Sequence, residues 1–256
     1  MTIDVEREGG VQTLRFNRPD KKNAITAGMY EALAQAFEGG EWSDEVRVHL
    51  IAGTEGAFTA GNDLKDFLAA AQSGTHGDQA LSFLRTLASI KKPLVAAVDG
   101  LAVGIGTTML FHCDLVYAST AATFHTPFLD LGLLPEAASS LLMPRSIGHQ
   151  RAFEMLCLGQ KYDSERAYQA GFVNEVLPRD ELEPYARQAA LQLAGKPPKA
   201  LALARALMRG SPDEVLARIQ EEGALFADRI NSPEARAAFE AFFERRPPDP
   251  SNKGAA

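Results

Sequence analysis

Leu94-Val-Ala-Ala-Val-Asp-Gly-Leu-Ala-Val-Gly-Ile-Gly-Thr-Thr108 decides the fold of this chain. Its first five residues form a short continuous apolar run, the pattern of a strand buried on both faces of a sheet. From Pro93 to Phe111 the chain is apolar enough to raise a membrane span. Asp99, three glycines and two threonines interrupt it, which predicts a buried strand, a turn and a helix beginning near Ile105. A helix start offers unpaired N–H groups and partial positive charge to an anion. A dinucleotide site is the obvious alternative, but Gly104-x-Gly106-x-x-Met109 lacks the third glycine and no N-terminal βαβ unit precedes it. Nicotinamide and flavin chemistry are therefore disfavoured, and no cofactor is expected.

The flanking sequence alternates strands and helices, which defines an α/β class. Ile3–Arg7 and Val11–Phe16 enclose Glu8-Gly9-Gly10 as a hairpin. Thr26 is placed to cap a helix carrying Met29, Leu33, Ala36 and Phe37. Val46–Ala52 and Asp114–Ala118 read as strands. Ala69–Gly77 reads as a mobile loop before a helix over Gln79–Ile90. From about residue 180 the pattern is helical only. Ser211-Pro-Asp-Glu has the form of a capping box with proline at the first helical position, opening a helix with Val215, Leu216, Ile219, Phe226 and Ile230. Ser232-Pro-Glu opens another with Phe239, Phe242 and Phe243. These helices are too apolar to stand alone, so they pack on the body or on neighbouring subunits. The last residues, from Pro247, are expected to be disordered.

The 256 residues suffice for one large domain, and 46% apolar residues can fill its core. A net charge of −7 argues against nucleic-acid binding. Arg18, Lys21 and Lys22 are the clearest basic cluster, either a solvated loop or a contact for a phosphorylated small molecule. Cys113 and Cys157, the only cysteines, lie in apolar surroundings without metal-ligand spacing, so neither a disulfide framework nor a zinc site is expected. The N-terminal stretch starts like a strand, without a signal-type apolar segment, and the final Gly-Ala-Ala is not a peroxisomal address. A cytoplasmic protein, not bound to membrane, is the expectation.

Two further segments can carry chemistry. Phe58-Thr-Ala-Gly-Asn-Asp-Leu64 lets a ligand approach the backbone closely at Ala-Gly, although for this segment alone a plain strand-to-helix turn capped by Asp63 is the better explanation. Ala122-Thr-Phe-His-Thr-Pro-Phe-Leu-Asp-Leu-Gly-Leu-Leu-Pro-Glu136 ends on the only glutamate between Pro93 and Ser140. Pro135 biases Leu134 to an extended conformation, so Glu136 is placed to open a helix through Ala137-Ala-Ser-Ser. A glutamate in so apolar a segment either completes a helix start or has a chemical task. Asp130 is the rival base, and His125 reads as structural.

Together the three segments resemble the crotonase, or enoyl-CoA hydratase/isomerase, superfamily. The resemblance runs from Asn17-Arg-Pro-Asp-Lys-Lys-Asn-Ala-Ile25 through Thr59–Asp63 to Gly171-Phe-Val-Asn-Glu-Val. Within it, Ala-Val-Gly-Ile-Gly-Thr-Thr, Cys113-Asp114, Ala-Thr-Phe-His-Thr-Pro-Phe and Leu-Pro-Glu look most like the peroxisomal-type Δ3,Δ2-enoyl-CoA isomerases.

The resemblance implies a spiral of ββα units followed by helices that build trimers, often paired into hexamers. It places a crotonase core at 1–195, C-terminal helices for packing and oligomerisation at 196–246, and a tail at 247–256. It implies an acyl-CoA thioester as substrate, with coenzyme A part of that substrate. The thioester carbonyl would sit between the backbone N–H groups of Ala60 and Ile105. Ala24, Ala60, Gly61, Asn62, Asp63, Leu64, Gly104 and Phe128 would line the substrate. The family's hydratases use two glutamates, and here Thr108 and Phe128 occupy those positions. Glu136 falls where the isomerases carry their base, which implies one carboxylate working alone. Hydration, thioester hydrolysis and a non-catalytic acyl-CoA-binding subunit remain the alternatives.

Overall fold

A computed structural model of the chain describes residues 2–64 and 78–244. The expected loop at 69–77 and the expected tail lie outside these residues, as does the side chain of Phe243. The chain opens with the hairpin β1 (Ile3–Glu8) and β2 (Val11–Phe16), turning on Gly9 and Gly10, both at positive φ. Helix α1 (Ala27–Trp42) follows, its N-cap Thr26 accepting from Met29 N–H as the sequence predicts.

Next comes a repeating pattern in which one strand joins a large sheet, the following strand joins a small sheet, and the chain returns. β3 (Val48–Ala52) and β4 (Ala57–Thr59) make the first such pair, and α2 (Asp78–Ser89) closes it. β5 (Leu94–Val98) and β6 (Leu101–Val103) make the second, closed by the short α3 (Ile105–Thr108). β7 (Leu115–Ser119) and β8 (Thr123–His125) make the third. The chain then runs through α4 (Ser139–Ile147), α5 (His149–Leu156), β9 (Tyr162–Asp163), α6 (Ser164–Ala170), β10 (Glu175–Leu177) and α7 (Arg179–Ala194). The large sheet has the order β1-β2-β3-β5-β7-β10, parallel from β2 onward, and the small one β4-β6-β8-β9. This is the ββα spiral.

Each corner between sheets is tight. At Gly100, φ +66, an added Cβ would lie 2.0 Å from the Gly56 carbonyl oxygen, so only glycine lets successive turns stack. The buried run Leu94–Val98 is covered on both faces, as its sequence requires. Val95 and Ala97 join Val48, Leu50 and Ala52 against Leu182, Ala186 and Ala190 of α7. Leu94, Ala96 and Val98 face the main core instead.

Three helices complete the described chain: α8 (Pro198–Arg209), α9 (Asp213–Ile230) and α10 (Pro233–Phe243). Two of these helices pack on the body, and the third does not. α9 and α10 place Ile219, Phe226, Ile230, Ala235 and Phe239 in the main core. α8 buries no residue and exposes Leu203, Leu207 and Met208. It is held instead by Arg205, which donates to Asp114 Oδ2 (2.8 Å) and to the Ile90 carbonyl (2.7 Å). The expected capping box at Ser211 does not form. The helix begins at Asp213, whose N–H bonds to Ser211 Oγ, and Glu214 pairs outward with Arg145. Among the described residues no helix is long and apolar enough to cross a membrane.

Candidate active site

Loop 17–25 folds against strand β4 because Asn23 cannot be left unpaired. Asn23 is fully buried in a left-handed conformation (φ 58), and its amide donates to Thr54 Oγ1 and to the carbonyls of Ala57 and Phe58. Thr59 returns a hydroxyl bond to the Asn23 carbonyl (2.6 Å). Arg18 donates to Asp63 Oδ2 (2.7 Å) and to the Ala24 carbonyl, tying the Asp63 end of segment 59–63 to the loop. Of the expected basic cluster, Arg18 is thus a structural clamp, and Lys21 and Lys22 are exposed.

These bonds decide which backbone N–H groups are available. The expectation for Ala60 is corrected: its N–H donates to the Lys22 carbonyl (2.9 Å). Two residues on, Ile25 pairs with Asn62 in a parallel bridge, through Ile25 N–H to the Gly61 carbonyl and Asp63 N–H to the Ile25 carbonyl. In such a bridge the N–H of the middle residue, Asn62, points away from Ile25. It has no backbone acceptor among the described residues.

Ile105, the other expected donor, lies at the start of α3. Gly104 (φ 56) caps α3, and its carbonyl takes the N–H groups of Thr107 and Thr108. The N–H of Ile105, at the first helical position, is left without an intrahelical partner. The two segments touch. β4 runs parallel to β6, and a Cβ at Gly61 (φ +82) would lie 2.7 Å from the Val103 carbonyl oxygen. A Cβ at Gly106 would lie 2.6 Å from Thr59 Cγ2.

Glu136 faces a cavity of about 200 Å³ between α2 and α9, bordered by Asn62, Asp78, Leu81, Leu84, Ile219, Glu222 and Phe226. Its Oε1 is buried without a hydrogen-bond partner. Burial, and then the charge of Glu222, push its pKa up to about 8. The buried Tyr30 hydroxyl donates to Asn62 Oδ1, and its pKa is raised well above the usual value by burial and then by Glu136. It therefore stays a neutral donor. Thr108 is fully buried, with its hydroxyl unpartnered, and Phe128 is buried beside Gly104. No carboxylate stands at either position.

The local backbone around Glu136 differs from expectation. Glu136 does not open a helix; α4 starts three residues later, at Ser139. Between them Ala137 (φ 63) and Ala138 (φ 53) are both left-handed, a conformation that costs a non-glycine residue roughly 1–2 kcal/mol. The turn is held from outside. His112 Nε2 donates to the Ala137 carbonyl (2.7 Å), and burial pulls the His112 pKa down to about 4, so its ring is neutral. Glu222 of α9 accepts from Ala138 N–H (2.6 Å), Ser140 N–H (3.0 Å) and Ser140 Oγ (2.5 Å).

Of the residues expected at the site, Asn62 and Glu136 share the cavity. Gly61 and Gly104 lie just past the ends of β4 and β6, Ile105 opens α3, Ala24 and Asp63 lie on the loops beside them, and Leu64 is at a helical position. Asp130, the rival base, is exposed on the turn at 129–131, and half-buried His125 ends β8. The sequence reading missed Tyr30, His112 and Glu222. Glu222 left one signal, a carboxylate at core spacing between Ile219 and Phe226.

A ββα spiral with a buried carboxyl lining a cavity defines a protein of the crotonase class. The chain belongs to the enoyl-CoA hydratase/isomerase family, whose model matches residues 6–253. It is 38% identical over 251 residues to enoyl-CoA delta isomerase 2 of Rattus norvegicus, covering 96% of this chain and 64% of that protein. The chain thus spans less than two thirds of that relative. It is 32% identical to 2,3-dehydroadipyl-CoA hydratase of Escherichia coli strain K12, covering 96% of each. The crystal structure of an enoyl-CoA hydratase/isomerase from Pseudoalteromonas atlantica T6c superposes with a TM-score of 0.92 at 39% identity, covering 97% of this chain and 99% of that one.

Proposed function

We propose that the chain is a Δ3,Δ2-enoyl-CoA isomerase in which Glu136 is the single acid/base. The observation that carries this reading is one buried, unpartnered carboxyl among the described residues of the cavity, with threonine and phenylalanine at 108 and 128. In this reading the thioester carbonyl sits between the N–H groups of Asn62 and Ile105. Glu136 takes a proton from C2; the C–H electron pair moves into the C1–C2 bond and the negative charge settles on the thioester oxygen. Two aligned donors stabilise that oxyanion, each worth ~3 kcal/mol. The protonated Glu136 then delivers the proton to C4, leaving the double bond between C2 and C3. Its partner Glu222 is no second acid/base, because both its oxygens are already occupied by N–H and O–H donors. Conversion of 3-hexenoyl-CoA to the 2-enoyl isomer by purified protein tests the reading. Rapid hydration of crotonyl-CoA without isomerisation would overturn it in favour of a hydratase, and acyl-CoA binding with no turnover would favour a binding subunit.

The raised proton affinity of Glu136 gives a second expectation. The base works only when ionised, so kcat/KM should climb about tenfold per pH unit below about 8 and level off above it. A limb near the ordinary carboxylate range would mean that another group takes the proton.

The exposed Leu203, Leu207 and Met208 of α8 are read as a subunit contact in a homotrimer or hexamer. Light scattering should show an assembly of three or six chains, and Leu207→Glu with Met208→Glu should shift it to single chains. A single-chain mass for the unaltered protein would remove this reading.

A further inference from the structure

We propose that Glu222, on the C-terminal helix α9, is the positioning residue for the base: its carboxylate holds the left-handed Ala137–Ala138 turn that aims Glu136 into the cavity. This rests on Glu136 being the base.

The turn contains no glycine, so its two left-handed residues persist only while neighbouring groups fix them. Glu222 supplies the anion that gathers the Ala138 and Ser140 N–H groups and the Ser140 hydroxyl onto one carboxylate. Arg218, one turn earlier on α9, donates to the same Ser140 Oγ (2.9 Å). A plain helix cap would be a simpler reading. Yet a serine or aspartate at position 138 would cap α4 locally, without burying a carboxylate 84 residues away in sequence. Glu222 is 6% exposed and borders the same cavity as Glu136, so its burial sets the geometry of that cavity as well as the end of a helix.

The charge acts along with the bonds. Tyr30 from α1, Asp78 from α2 and Glu222 from α9 face Glu136, with neutral His112 behind the turn and Arg218 acting on Glu222 and Ser140 instead. After burial, Glu222 is the group that pushes the Glu136 proton affinity up.

The test is Glu222→Gln in the full-length protein, measured as a pH profile of isomerisation. The amide turns a donor towards an N–H group and removes the anion. A base displaced by even an ångström loses on the order of 10²-fold in rate, so kcat should fall on that scale with KM little changed. The ionising limb should move to lower pH, because the like charge is gone. Adding Ala138→Gly should restore most of kcat, because glycine adopts the turn unaided, while the limb stays displaced. Wild-type kcat and an unmoved limb in Glu222→Gln would overturn the proposal. If Glu222→Gln fails to fold, Glu222→Asp serves: it keeps the charge and shortens the reach. Lowered kcat with a nearly unmoved limb supports positioning, and wild-type kcat overturns it. Glu136→Gln separates the two readings, since full activity there removes the base itself, whatever Glu222 does.

Discussion

Glu136→Gln should lower isomerisation by a factor of about 10³–10⁴ while acyl-CoA still binds. Glutamine keeps the volume and shape of the side chain, so the cavity between α2 and α9 stays closed to the same degree. What it cannot do is carry the proton. The same change should make the protein more stable, and the sign follows from the direction of the shift. Glu136 is raised from 4.5 to about 8 on folding, so the folded state favours its protonated form. The stability this gives is fully present below the unfolded value and is lost as pH rises through about 8. Glutamine escapes that loss. Its melting temperature should match wild type near pH 4.5 and exceed it above pH 8 by at least ~4 °C, as for a gain of ~2 kcal/mol. Equal activity in the variant would remove the assigned base, and equal melting at high pH would mean that the carboxyl is not desolvated.

Gly61→Ala should be the second severe change. Position 61 is at φ +82, and the new Cβ would stand 2.7 Å from the Val103 carbonyl oxygen, which is backbone and cannot swing aside. Either β4 separates from β6 or residue 61 leaves its conformation, and in both cases the Asn62 N–H turns from its present direction. Stability should fall by ~2 kcal/mol or more. The rate should fall by 10² to 10³, about the cost of one lost oxyanion donor. Gly28→Ala is the matching control. Its Cβ meets nothing within 4 Å, and it lies inside α1, where alanine should stabilise by about 0.5–1 kcal/mol. Thermal melts and steady-state kinetics on both variants decide the point; an active, stable Gly61→Ala protein would mean that this edge does not bind the carbonyl.

The large sheet was legible in the sequence because its strands are short apolar runs with glycine corners, and that pattern has few alternatives. Leu94–Val98 reads directly as a strand covered twice. The family's segments also pointed to Glu136, whose carboxyl lies buried at the cavity, and to Ile105, which opens α3. What they could not supply is which N–H of the Thr59–Asp63 segment is already spent. That depends on the Lys22 carbonyl, delivered by a loop whose left-handed Lys22 and Asn23 follow no periodicity. The start of α4 was misplaced for a related reason. Local preference favours a helix opening on Glu136, and bonds to His112 and Glu222 override it. No local rule joins position 222 to position 138; only the folded chain does.

That long-range join bears on how the protein is made. Ribosomes deliver Glu136 and His112 well before the helix that carries Glu222, so a nascent chain has only the His112 bond to hold the turn behind that carboxyl. Held by that bond alone, the two left-handed alanines would relax, and the carboxyl would swing away from its place in the cavity. Competence for chemistry therefore arrives with the last helices, and a chain cut short before them stays silent.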